Sequence, residues 1–140
     1  MLRIGNIELD LPFVQAALSG YSDLPMRRLA RRYGAPYTLN EVVLDKLVVQ
    51  PGKKQRAFLR VTDDDHPVGG QLMGADPDVF APAAFAMAQA GYDAIDINFA
   101  CPVRRCWAAA AAGSFSLSLI RHWRSSAAST TPSAAPIRSR

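Results

Sequence analysis

Cysteine and histidine are scarce in this 140-residue chain, at two each. Cys101 and Cys106 match no metal-ligand spacing and form no disulfide framework, which excludes a structural zinc site and a disulfide scaffold and predicts a reducing, cytoplasmic setting. His66 stands beside Pro67 with no second histidine, cysteine or carboxylate at ligand spacing, so it reads as structural and no metal is expected. Long apolar runs are also missing, and the amino terminus lacks a signal-peptide pattern; no membrane partner is expected. Acidic residues are absent from the tail. Residues 1–105 contain 12 Lys+Arg and 12 Asp+Glu, so Arg121, Arg124, Arg138 and Arg140 carry the whole net charge of +4. Overall basicity therefore says nothing about the body of the chain. What is present, 49% hydrophobic and 20% charged residues, is globular composition sufficient for one modest domain.

In chain order, Ile4, Ile7 and Leu9 alternate around Gly5-Asn6 and predict a small hairpin. Pro12 opens Phe13–Leu18, a first strand of a larger sheet, followed by the loop Ser19-Gly20-Tyr21-Ser22-Asp23. That loop reads either as a tight turn or as a place where the backbone approaches a flat ring or phosphate. Ser22 is expected to cap a helix running to about Tyr33, with Met26, Leu29, Ala30 and Tyr33 on its buried face. Arg27, Arg28, Arg31 and Arg32 are then expected on solvated sides, with phosphate binding as the competing reading. Tyr37–Glu41 is a second strand, with Asn40 and Glu41 near its end, and Leu44–Val49 a short helix. Lys53 to Arg60 reads as surface loop and edge, running into the acidic turn Asp63-Asp64-Asp65.

Pro67–Gly74 forms the third strand, and Asp76-Pro77 opens a helix whose Phe80, Ala84, Met87 and Ala88 face the sheet. Pro82 should reset or kink that helix, and Gly91 ends it. Asp93–Ile97 is a short apolar run suited to a buried parallel strand, and Pro102 cannot continue it. Asn98 and Cys101 thus fall where a strand's C-terminal end becomes loop, the place where α/β folds collect ligands. Gln71 inside a strand needs partners, from neighbouring backbone or from a ligand, since a buried lone amide costs about 1–3 kcal/mol. The elements read β-α-β-α-β-α-β, with right-handed crossovers.

Three blocks carry a resemblance: Ala16-Ala17-Leu18-Ser19-Gly20-Tyr21-Ser22-Asp23, then Gln71-Leu72-Met73-Gly74, then Asp96-Ile97-Asn98-x-x-Cys101-Pro102. In order and spacing they resemble the tRNA-dihydrouridine synthase family over roughly residues 3–105. The resemblance implies the N-terminal part, about four β/α units, of an FMN-binding TIM (β/α)8 barrel, a fold of about 250 residues when complete. Residues 1–105 would be that half-barrel and residues 106–140 an irregular tail. FMN would lie against Ala17, Leu18, Ser19 and Gln71; Asn40 and Glu41, placed like the family's Thr-Glu pair, would face the site mouth; Asn98 and Arg105 would contact the substrate, tRNA; NADPH would be the reductant. The implied reaction is reduction of the uracil C5=C6 bond, with hydride from flavin N5 to C6 and Cys101 as the acid that protonates C5. A thiol with an ordinary pKa of about 8.5 is mostly protonated at neutral pH and suits that role, and the base must leave its stack to reach it. Otherwise Cys101 is a small buried hydrophobe.

The chain departs from the family pattern at Ala17, Leu18, Phe99, Ala100 and Arg105. Beyond Arg105, alanine and serine make up 17 of 35 residues, with no periodicity. Read one nucleotide earlier from Arg105, permissible codons for Cys106–Trp123 give Val-Leu-Gly-Arg-Gly-Arg-Gly-Gly-Phe-Phe-Leu-Ser-Gln-Pro-Asp-Thr-Ala-Leu, a glycine-rich loop and a helix start. A frameshift is therefore expected, and the chain as written is expected to be a poor enzyme. Another FMN-dependent barrel oxidoreductase and a non-catalytic remnant are the competing readings.

Overall fold

The computed structural model describes residues 1–74 and 76–99. Strands β1 (Leu2–Ile4) and β2 (Ile7–Leu9) form an antiparallel hairpin with Ile4 opposite Ile7. Gly5 takes φ +59° in its turn, a conformation glycine adopts without a Cβ penalty. Leu9 is the hairpin's buried anchor.

The main sheet is parallel. β5 (Val68–Met73) runs through its middle, with β6 (Ala94–Ile97) on one edge. The other edge is shared by two short pieces, β3 (Thr38–Leu39) and β4 (Val43–Leu44). Leu39 lies opposite Gly69 and Val43 opposite Leu72, so this edge carries one residue more than β5 over the same span. That extra residue breaks the ladder as a bulge does, at Asn40-Glu41-Val42. Outside β3, Gln15 forms a single parallel bridge to Thr38. The strands thus stand side by side in chain order, all parallel.

The helices are α1 (Leu24–Arg32), α2 (Asp45–Val48), α3 (Lys53–Phe58) and α4 (Pro77–Gln89), with a 3-10 turn at Asp63–Asp65. Alternation along β5 divides the sheet into two unlike faces. Val68 and Leu72 pack with Val43, Val48, Phe80 and Met87 in the core. Gly70 shares that side, and a Cβ there would run into Met87 and Tyr92, so α4 rides close on the strand. Gly69 and Gln71 project to the opposite face, where a Cβ on Gly69 would meet Leu39 and the Tyr37 hydroxyl. At the strand's end, a Cβ on Gly74 would collide with the buried Asp45 carboxylate.

Several expectations need correction. Phe13–Leu18 is not a regular strand: only Gln15 pairs, and Phe13, Val14 and Leu18 are exposed, because two-residue β3 offers little ladder to pair with. The cap of α1 is Asp23, whose Oδ1 accepts from the Met26 N–H at 3.1 Å; the Ser22 hydroxyl is drawn inward instead. The buried face of α1 is not the one set by apolar spacing. Leu29 and Tyr33 are exposed, while Arg27 is among the most buried large side chains, 1% exposed. Burial is tolerated because all five guanidinium donors are used. Arg27 Nε and Nη2 bind Asp65, Nη2 also the Arg60 carbonyl, and Nη1 the Ser22 carbonyl and Asn40 Oδ1. Asn40, expected at a site mouth, is thereby fixed in the interior, with its amide nitrogen on the Phe58 carbonyl at 3.2 Å. Arg31 is likewise structural, donating to the carbonyls of Ala35, Pro36 and His66.

Lys53–Phe58 is helix α3 rather than loop. Strand β6 is an exposed edge rather than a buried strand, with Asp96 and Ile97 open. In α4, Ala83 rather than Ala88 faces inward, and the helix runs through Pro82, which lies exposed. The hairpin, α2, β5, the Asp76 cap and the Gly91 stop are where the sequence puts them.

Candidate functional site

Two polar assemblies stand out: the side chains at the C-terminal ends of β5 and β6, and the loop after Gln15, which is tied to the β3–β4 edge. The loop is built around Ser22, which is fully buried. Its Oγ accepts from the Leu18 N–H at 2.5 Å and donates to the Ala16 carbonyl at 3.2 Å. Leu18 in turn accepts from the Tyr21 and Ser22 N–H groups, closing a tight turn with Gly20 at φ +79°. Glu41, from the bulge between β3 and β4, accepts the Gly20 N–H on Oε2 at 2.6 Å and donates its own N–H to the Ser22 carbonyl. A sequence-adjacent pair thus divides its labour: Asn40 turns in to Arg27, and Glu41 clamps the loop. With Leu18 and Gly20 so occupied, the Ala17 and Ser19 N–H groups have no partner among the described residues, and the Leu18 side chain is 48% exposed.

Gln71 and Asp96 are register partners on neighbouring strands. Gln71 Nε2 donates to Asp96 Oδ2 at 2.6 Å, and its Oε1 accepts from Asn98 Nδ2 at 2.9 Å. The carboxylate can only accept, which fixes the amide's orientation. Asn98 itself is anchored by its backbone N–H to the Leu72 carbonyl at 2.9 Å. The question posed by a glutamine in a strand is answered by side chains, not backbone. The triad is only partly buried, and Gln71 keeps one N–H and one lone pair beyond these bonds. Deeper on the same face lies Tyr37, whose phenol burial pushes up to about 12, with the Asp96 and Asp93 carboxylates adding to the shift. Asp93 accepts from the Val68 N–H and from the His66 ring, so His66 is structural.

Of the sequence-derived site residues, Gln71 and Asn98 come together, and Ala17, Leu18 and Ser19 form the clamped loop. Cys101 and Arg105 lie outside the described residues. Sequence reasoning misses Asp96 as a site group, whereas Glu41, expected at the site mouth, clamps the loop through the Gly20 N–H. The signal for Asp96 is its place two residues before Asn98, which puts both on one face of a strand. The Gly20 partner of Glu41 gives no such signal, because it is a backbone N–H far along the chain. Among the described residues no group of three His, Cys, Asp or Glu is placed to hold a metal, and no helix is long and apolar enough to cross a membrane.

A parallel sheet with polar groups gathered at its strands' C-terminal ends is the arrangement of α/β proteins that hold small molecules there. The family model for dihydrouridine synthase matches residues 14–124, and the chain belongs to that family. The match runs past residue 105. A protein of Rickettsia conorii named "Probable tRNA-dihydrouridine synthase" is 37% identical over 108 residues, covering 75% of this chain and 32% of that protein. A "tRNA-dihydrouridine synthase B" of Pseudomonas aeruginosa is 33% identical over 105 residues, with 75% and 32% coverage. The chain thus spans about a third of the length of the curated relatives it matches.

Proposed function

We propose that residues 1–105 are the N-terminal half of a flavin-binding TIM barrel that reduces the C5=C6 bond of uridine in tRNA, in the cytoplasm, with NADPH as reductant. Family membership supports the reaction, and four parallel segments lying side by side in chain order support the barrel. The observation that carries the site is the Gln71–Asn98 amide pair, held at 2.9 Å on the face opposite the core. This face suits a flat heteroaromatic ring. Ala17 and Ser19 offer N–H groups, Leu18 offers an exposed apolar surface, and Gln71 offers a spare donor and acceptor. These residues would hold FMN, which when bound and reduced supplies the hydride equivalent.

In this reading the chain's own residues orient and protonate. Asn98 presents its amide to the uracil edge, Arg105 meets the tRNA, and the Cys101 thiol gives its proton to C5. Asp96 holds the Gln71 amide in one orientation so that its carbonyl stays turned to Asn98. Residues 106–140 are, in the same proposal, the product of a shifted frame after Arg105, and sequencing the gene there tests that part.

The reaction is tested on the gene product read in the alternative frame from Arg105. It is expected to carry FMN, oxidise NADPH and convert uridine to dihydrouridine in unmodified tRNA. In Cys101→Ala, flavin content and flavin reduction by NADPH should stay near wild type, while tRNA-dependent flavin oxidation slows about 10²–10⁴-fold. Loss of flavin and stability together would make Cys101 structural. Flavin binding without any change in tRNA uridine would point to a different flavin-dependent barrel oxidoreductase.

A further inference from the structure

Helix α1 has two arginines that fold the protein and two that do not. Arg27 and Arg31 spend their guanidinium donors on Asp65, Asn40 and main-chain carbonyls. Pro25, Arg28, Leu29 and Arg32 follow i, i+3, i+4, i+7 spacing, which puts them on one helix face. That face, together with Arg60 from beyond α3, walls a cavity of about 500 Å³. The volume lies within the range of about 300–1,000 Å³ common for binding pockets.

The charge in this cavity is unbalanced. Among the described residues no carboxylate lies within salt-bridge distance of Arg32 or Arg60. Arg28 meets Asp64 at 2.7 Å, but both side chains are about half exposed, so that pair contributes little and opens readily. The one carboxylate lining the cavity, Asp23, is occupied in capping the Met26 N–H. Three guanidiniums therefore converge within a body of zero net charge, which a generally basic surface does not explain. Apolar side chains line the cavity beside them: Leu24, Pro25 and Leu29, the last 52% exposed. Unpaired guanidiniums on a partly apolar wall suit phosphodiester oxygens, which their planar donors bind bidentately. The cavity begins at Asp23, directly after the clamped Ala16–Ser22 loop, so a strand bound in it leads towards the site.

We propose that the cavity between the outer face of α1 and Arg60 is an RNA-backbone contact site, separate from the base-reducing site. The identification of the polyanion as RNA rests on the proposed function. The site grips one or two phosphates with Arg32 and Arg60, Arg28 exchanging Asp64 for phosphate.

The test is salt-dependent binding of an unmodified tRNA transcript by the 140-residue chain, measured by fluorescence anisotropy. Arg32→Gln/Arg60→Gln should reduce the slope of log K against log [salt] by about 2 and weaken binding at least tenfold near 100 mM salt. Arg121→Gln/Arg124→Gln serves as the control for the basic tail. Circular dichroism should be unchanged in both. An unchanged slope in Arg32→Gln/Arg60→Gln, or an equal loss from the tail variant, would overturn the proposal. Flavin content and dihydrouridine formation report on the other site, so failure of that reading leaves its own signature.

Discussion

Two polar networks lie on opposite sides of the sheet, and they are built to opposite rules. Around Arg27, every guanidinium donor is used and both partners of the ion pair are at most 1% exposed. Around Gln71, three side chains are bonded to one another yet stay partly open, with capacity left over. A closed network can only hold the protein together, because nothing can reach it. An open one costs a little stability and keeps donors available. The difference separates architecture from binding more reliably than residue type does: an arginine row resembles a ligand-binding patch, and half of it is framework.

The largest effect should come from breaking the closed network. Arg27→Ala leaves Asp65 buried without its cation, and the expected loss is about 3–5 kcal/mol in urea unfolding. Arg27→Lys should recover little, because an ammonium cannot span Asp65, Asn40 and the two carbonyls of Ser22 and Arg60 from one point. Recovery of most of the stability by lysine would show that charge alone matters there.

Next comes the loop clamp. Ser22→Ala removes the acceptor of the Leu18 N–H in a fully buried setting, for an expected cost of about 1–3 kcal/mol. Glu41→Gln should cost less, since Gly20 sits in an exposed turn and an amide oxygen still accepts its N–H. Equal losses from the two would mean that the loop is held from outside rather than from within.

A smaller effect concerns alkaline pH. Burial holds the Tyr37 and Tyr92 phenols protonated up to about pH 12, against an ordinary value of 10.0. The folded chain then binds more protons than the unfolded one between these values. The associated stability is complete below pH 10 and is lost as pH rises through 12. Absorbance titration should show two of the four tyrosines ionising in that late step, and Tyr37→Phe/Tyr92→Phe should abolish it.

Legibility in the sequence follows the same division. Elements set by local chemistry were readable: the Gly5-Asn6 hairpin turn, the Asp76-Pro77 helix start, the Gly91 stop and the apolar run of β5. Gln71 and Asn98 were readable because a polar side chain in or just after a strand demands a reason. Arg27 was not, because its partner Asp65 is 38 residues away and looked like part of an acidic turn. Spacing on α1 pointed to Leu29 and Tyr33 as core, but the buried side is chosen by what Asp65 and Asn40 offer. Nor was the bulge at Asn40–Val42 legible, since it is defined by a register against β5 and not by its own residues.

If the open network is a binding surface and not a weaker version of the closed one, Gln71 serves a ligand more than it serves folding. The most direct measurement is Gln71→Leu in the gene product read in the alternative frame from Arg105, scored for both unfolding free energy and flavin affinity. Stability should change by less than about 1 kcal/mol, since the partners Asp96 and Asn98 can turn to water. Flavin affinity should fall about tenfold or more, which corresponds to roughly 1.4 kcal/mol of lost ligand contact. A stability loss of about 3 kcal/mol with flavin affinity unchanged would place Gln71 with Arg27 as framework and contradict the assignment.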